Sequence, residues 1–248
     1  MLMITKKILR SDRELKRKNQ FRRELIGNLA HDLRSPLTSI QGYLETLLLK
    51  NEVLLPYERE KYLEIILSNT VYISKLVNGL LQLSKLAEDQ IQPKFEIFSI
   101  EELVNDIILK FEPIAAKKDI SIQTDAYQKL PLVIGDIGMI ERAITNLMEN
   151  AIRYTPSNGM VEIKLLQMFQ KVRIIISDTG CGISREDLPY VFDRYYKNKR
   201  CTTSTDKSTG LGLAITKKIV DIHNSTLRIK SKVDIGTTIY FELSTCMK

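Results

Sequence analysis

From Phe21 to about Lys50 the apolar residues Ile26, Leu29, Leu33, Leu37, Ile40, Leu44 and Leu47 recur at steps of three or four. At roughly 100° per residue these positions stay within about 40° of one line, the stripe of a bundle helix. A break follows around Asn51 to Pro56, and the stripe resumes through Leu63, Ile66, Ile73, Leu76, Leu80 and Leu83. The pattern predicts a helical hairpin. Two helices alone make a poor core, so a homodimer completing a four-helix bundle is the expected solution.

After Gln92 and Pro93 the texture changes to short β-type runs alternating with helices: Phe95 to Phe98, Ile120 to Thr124, Met160 to Met168, Val172 to Ser177, Leu227 to Lys230 and Thr237 to Leu243. This predicts a separate α/β domain. Ser99 with Glu102 reads as a capping box opening a helix that ends near Lys118, and Ser184 with Asp187 as a short-helix start. The stretch Lys197 to Thr209 is polar and without period, the texture of a lid.

At 248 residues and 44% hydrophobic content the chain can bury a core. Its net charge of +7 could indicate nucleic acid or an anionic membrane as a partner. Most of the excess, however, lies in residues 1–24, where Lys6, Lys7, Arg10, Arg13, Lys16, Arg17, Lys18, Arg22 and Arg23 face only Asp12, Glu14 and Glu24. That arm lacks interleaved aromatics, which argues against nucleic acid. It suits a signalling linker, or contact with anionic headgroups or a membrane receptor. No apolar run approaches bilayer length, and Cys181, Cys201 and Cys246 show no metal-ligand spacing, so a soluble cytoplasmic chain is expected.

His31 lies two residues from both Leu29 and Leu33, so it points about 160° from the stripe, toward solvent. On helical position alone it is a surface histidine. Asp32 supplies a carboxylate able to accept an imidazole proton, and Pro36 removes a backbone donor within a turn and a half, opening or kinking the helix. The run His31, Asp32, Leu33, Arg34, Ser35, Pro36, Leu37 resembles the phosphoacceptor box of bacterial sensor histidine kinases. The resemblance implies that His31 attacks the γ-phosphate of ATP with Asp32 as assisting base. Ser35 keeps a hydroxyl where relatives carry the Thr or Asn that serves dephosphorylation of the partner, which makes phosphatase activity a further expectation.

Downstream, Asp136 reads as a helix N-cap, and Asn146, Asn150, Arg153 and Tyr154 follow on one face at steps of four, three and one. Two amides and a guanidinium suit a hydrated Mg²⁺ and phosphates. Asp178, Gly180 and Gly182 follow a strand, where a carboxylate can accept from an adenine amino group and glycines permit a tight turn. Gly210 and Gly212, with Leu211 and Leu213, open a helix whose N–H groups can cradle phosphate. These segments resemble the nucleotide boxes of the same kinases. The likeness implies Mg²⁺ at Asn150, Arg194 and Lys197 near the γ-phosphate, and a hydroxyl of Thr237 near the nucleotide. Ser208 stands where the family usually has glycine, Asn224 and Ser225 replace two further glycines as a turn variant, and His223 reads as structural.

The implied fold class is α+β: a helical hairpin forming a dimeric four-helix bundle, followed by an α/β-sandwich ATP-binding domain. The expected divisions are 1–20 linker, 21–90 phosphotransfer hairpin and 91–248 ATP-binding domain. The expected function is an ATP-dependent histidine autokinase that passes its phosphoryl group to an aspartate of a response regulator. A related ATP hydrolase is disfavoured because the position four before Asn150, where those enzymes keep a glutamate base, is Asn146. A dimeric scaffold that binds nucleotide without transfer is the other alternative.

Overall fold

The computed structural model describes residues 32–50, 53–87, 92–125, 130–196 and 208–246. By contacts the chain divides into two compact units, 1–77 and 78–248, and the boundary falls inside one long helix.

In the first unit, helix α1 runs over 32–49 without a break at Pro36, so the proline does not open the described helix. Helix α2 spans Pro56–Ala87. The two are antiparallel, with Asn69 Nδ2 donating to Ser39 Oγ at 3.0 Å and the rings of Tyr43 and Tyr62 5.0 Å apart. Leu76 and Pro36 are buried, but the stripe residues Leu37 and Leu44 stay 52% and 43% exposed. An apolar stripe left this open on a hairpin invites a covering surface.

The second unit begins with the end of α2, whose Leu83 and Leu86 join the core. Then come β1 (Glu96–Phe98), α3 (Ile100–Ala116), β2 (Ser121–Asp125), β3 (Val133–Gly135), α4 (Ile137–Tyr154), β4 (Met160–Met168), β5 (Lys171–Asp178), a 3₁₀ turn (Leu188–Tyr190), α5 (Gly212–Ile222), β6 (Arg228–Lys232) and β7 (Gly236–Ser244). A five-stranded mixed sheet has the order β2-β4-β5-β7-β6, parallel only between β2 and β4, and β1 pairs with β3 in a separate ribbon. Alternation along the strands sends Val161, Ile163, Val172, Ile174, Ile176, Phe241 and Leu243 to one face, where the buried stripes of α3, α4 and α5 meet them. Each such side chain stabilises the fold by roughly 1.5–3 kcal/mol.

All six expected strands form, within a residue or two at their ends. The ribbon strand β3, which pairs with β1, is an addition to them. Ser99 caps α3 by accepting from Glu102 N at 3.3 Å. Ser184 does not start a helix: it closes a turn, accepting from Asp187 N at 3.1 Å, and the 3₁₀ turn follows Asp187. Asn224 takes the left-handed conformation after α5 (φ 53), a role open to Asn as well as Gly, and Ser225 Oγ accepts from Glu242 N at 3.1 Å.

His223 is structural. Its Nε2 accepts from Asp136 N at 3.0 Å, so its Nδ1, 2.8 Å from Ile219 O, carries the proton and donates. It ties the end of α5 to the start of α4, where Asp136 caps by accepting from Met139 N and Lys94 N, both at 2.9 Å. Replacing His223 with Leu leaves the half-buried Asp136 N–H without its acceptor, and urea denaturation should show a loss of about 1–3 kcal/mol.

Candidate nucleotide site

The site is laid out along α4. At one end, Asn146 is buried and its Nδ2 donates to Gly212 O at 3.2 Å and to Thr216 Oγ1 at 3.4 Å, fixing the first turn of α5. Asn146 therefore acts here as a brace between helices, not as an open ligand-facing amide. At the other end, Cys181 N donates to Tyr154 O at 3.3 Å, and Gly180 lies so close that a Cβ there would come within 2.5 Å of that carbonyl. Only glycine fits this approach. Asn146 and Tyr154 are eight residues apart, about 12 Å along the helix axis. Asn150 sits between them, half-buried, and its amide makes no hydrogen bond among the described residues. Arg153 and Tyr154 are also half-buried on this stretch.

Asp178 closes β5. Its Oδ1 accepts from Gly180 N at 2.9 Å and from Thr237 N at 3.3 Å. Burial raises its pKa to about 6, against the lowering effect of those two backbone bonds. Thr237 thus reaches Asp178 through its backbone, while its hydroxyl lies 2.8 Å from Ser231 Oγ. Ser231 also accepts from Ile183 N at 2.8 Å and donates to Gly236 O at 3.0 Å, pinning the loop that carries Gly182 (φ 66). Nothing in the sequence marked Ser231, an ordinary hydroxyl in an edge strand.

The structure thereby brings together Tyr154, Asp178, Gly180, Gly182 and Thr237, and separately Asn146 with Gly212. Gly210 (φ 66) lies against Tyr195, whose N–H donates to Gly210 O at 2.8 Å; a Cβ at Gly210 would meet the Tyr195 backbone at 2.7 Å. Leu211 is buried and Leu213 half-buried, so both serve packing. Ser208 is buried beside this turn. Arg194, whose pKa is lowered by burial, lines a cavity with residues of α5 rather than with Asp178. Asp32 is half-buried and Ser35 exposed on α1. His31, Lys197, the arm 1–24 and most of the stretch 197–209 lie outside the described residues. No group of three or more His, Cys, Asp or Glu among the described residues could hold a metal, and none of their helices is long and apolar enough to cross a membrane.

This sheet, with a carboxylate at a strand end and amides along the facing helix, defines an ATP-binding domain. Residues 135–246 match the family of histidine kinase-, DNA gyrase B- and HSP90-like ATPases, and residues 21–89 match the His Kinase A (phospho-acceptor) domain. The chain belongs to the sensor histidine kinases of bacterial two-component systems. It is 31% identical over 236 residues to drug sensory protein A of Synechocystis, covering 91% of this chain and 35% of that protein. The chain thus spans about a third of the length of such curated relatives. Among solved structures it resembles the Acinetobacter baumannii histidine kinase AdeS (TM-score 0.70, 25% identity, 88% of this chain and 98% of that one). It also resembles histidine kinase ThkA in complex with the response regulator protein TrrA (TM-score 0.74, 25% identity, 90% and 61%).

The raised pKa of Asp178 has a stability consequence. With its folded value near 6 and an unfolded value near 3.8, the folded state binds more protons between those limits, so its stability falls as pH rises through that window. Asp178→Asn removes the buried charge and keeps an oxygen for Gly180 N and Thr237 N. Urea titrations without ligand should therefore show the variant more stable than wild type at pH 7, by up to roughly 3 kcal/mol, with the difference vanishing near pH 4.

Proposed function

We propose that the chain is a homodimeric, ATP-dependent protein histidine autokinase that phosphorylates His31 and passes the phosphoryl group to an aspartate of a response regulator. The observation that carries this is the Asp178 carboxylate, whose Oδ1 is held by Gly180 and Thr237 while Oδ2 accepts no hydrogen bond among the described residues, at the end of the helix that bears Asn150. Oδ2 suits the amino group of adenine. From there Asn150, Arg153 and Tyr154 lead toward the first turn of α5, where the backbone of Gly210, Leu211, Gly212 and Leu213 would receive the phosphates. Arg194 and Lys197 are assigned to the γ-phosphate.

The amide of Asn150, which makes no hydrogen bond among the described residues, fits Mg²⁺, which retains several waters and takes few protein ligands. When bound, the ion would neutralise phosphate charge; the oxygen of Asn150 would hold it. In the transfer itself an imidazole nitrogen of His31 forms an N–P bond as the bond between the γ-phosphorus and its bridging oxygen breaks, ADP leaves, and Asp32 takes the imidazole proton. The exposed stripe of α1 supports a bundle made with a second copy. Residues 21–90 would be the phosphotransfer hairpin and 91–248 the ATP-binding domain, in the cytoplasm, with 1–20 as a basic linker that can meet a membrane surface or receptor. The response regulator would dock near His31, and Ser35 supports a phosphatase activity toward it.

Hydrolysis of ATP by water is disfavoured on geometry. The position four before Asn150 is an amide already spent on Gly212 and Thr216, and it cannot take a proton.

With γ-labelled ATP and Mg²⁺, wild type should acquire acid-labile, base-stable label and His31→Gln should acquire none. Label absent from wild type, or undiminished in His31→Gln, would sink the kinase assignment and leave a nucleotide-binding scaffold. Asp178→Asn turns an amide donor toward adenine and should weaken ATP binding, by calorimetry, about tenfold or more.

A further inference from the structure

Asp178, Thr237 and Ser231 form one row across three strands. Asp178 of β5 is the direct partner of Thr237 of β7, and Thr237 is in turn the direct partner of Ser231 of β6. Directly opposed residues send their side chains to the same face of a sheet, with Cβ atoms about 5 Å apart. Each of the three lies two residues from an isoleucine that packs in the core, Ile176, Ile239 and Ile229 respectively, so the row continues the helix-covered face of the sheet.

The hydroxyl protons along this row can be assigned. A hydroxyl has one hydrogen to donate and two lone pairs with which to accept. Ser231 Oγ has three partners among the described residues: the N–H of Ile183 at 2.8 Å, the carbonyl of Gly236 at 3.0 Å and the hydroxyl of Thr237 at 2.8 Å. The Ile183 N–H can only donate and the Gly236 carbonyl can only accept, so Ser231 spends one lone pair on the first and its hydrogen on the second. What remains for Thr237 is a lone pair, and Thr237 must donate. The reverse arrangement, with Ser231 donating to Thr237, would set two lone-pair oxygens against each other at 3.0 Å. Thr237 Oγ1 therefore has only acceptor capacity left for a ligand. Pinning the loop of Gly182 needs the Ile183 and Gly236 bonds alone; the third bond does nothing for that loop and fixes the direction of a hydroxyl beside Asp178.

We propose that Ser231 is a positioning residue for base selection: by taking the Thr237 proton it makes Thr237 Oγ1 a fixed acceptor beside the Asp178 carboxylate, so that the pocket selects a purine with an amino group at position 6 over one with a carbonyl there. This role rests on the assignment of Asp178 to adenine made above. The two N–H bonds of the 6-amino group meet two acceptors, Asp178 Oδ2 and Thr237 Oγ1. A 6-carbonyl oxygen meets the same pair lone pair against lone pair, with no proton to relieve them. Without Ser231 the Thr237 hydroxyl can rotate and donate to that carbonyl.

The test is calorimetric titration of the full chain with ADP and with inosine diphosphate, which has a carbonyl and an N1 proton in place of the 6-amino group. Neither carries a γ-phosphoryl group to transfer. At pH 8, above the pKa of about 6 of Asp178, the carboxylate is ionised. Wild type should bind ADP at least about tenfold more tightly. Ser231→Ala should cut that ratio about threefold or more, by strengthening inosine diphosphate relative to ADP, and Ser231→Thr, which keeps the hydroxyl, should restore it. Thermal melting checks each fold; should the alanine variant be unfolded, Ser231→Cys keeps the volume with a much weaker hydrogen-bonding group and takes its place, with the same expected shift. A merely loosened loop would weaken both nucleotides together and leave the ratio where it was. A ratio unchanged in Ser231→Ala, or lowered as far in Ser231→Thr, overturns the role of Ser231 and leaves the nucleotide reading intact. Wild type that binds neither diphosphate, or both alike, overturns the adenine assignment and this role with it.

Discussion

Everything in the second unit depends on α4 meeting two surfaces at once. Ile140, Ile144, Leu147, Met148, Ala151 and Ile152 bury one side of it in the core shared with the sheet and its neighbouring helices, while Asn146 reaches across to the first turn of α5. Because apolar contacts fix the rotation of the helix, the polar residues at its rim have no choice of direction. Asn150, Arg153 and Tyr154 are placed by the packing of their neighbours, and the glycine loop after β5 is then drawn against the carbonyl of Tyr154. The site is a by-product of core geometry, which is how a fold can hold charged ligands without spending rigidity on each ligand-facing group.

Periodicity in the sequence was enough for the hairpin, for the long strands and for the buried faces of α3 and α4, because burial imposes a period of two or 3.6 wherever an element is long enough to repeat it. The ribbon strand β3 has no room for a repeat, and its pairing with β1 is a tertiary event. Ser184 and Asp187 carried the letters of a helix start, but the chain had only a 3₁₀ turn to offer. Asn224 shows the reverse case: a missing glycine was read as a harmless turn variant, and the left-handed backbone at that position bears this out.

The candidate site was legible as a set of positions and less so as a division of labour. Asn146 and Asn150 are one turn apart with the same side chain, and spacing gave them one role; burial separates them into a brace and an open amide. The family likeness points to the hydroxyl of Thr237, whereas its N–H is what reaches Asp178. Ser231, which pins the loop of Gly182, has no sequence signal at all, since its role comes from linking the start of the next strand to the distant Ile183 N–H. Such roles are set by which atom of a residue points where, and a linear pattern carries no information on that.

A carboxyl poised near pH 6 at the end of β5 also makes the site an exchanger of protons. Any ligand that donates a hydrogen bond to Asp178 favours its ionised form, so binding at or below that pH expels hydrogen ions into solution. Occupancy and acidity are then linked variables: a drop in pH competes with the ligand, and the heat measured on binding changes with the ionisation enthalpy of the buffer that collects the released proton.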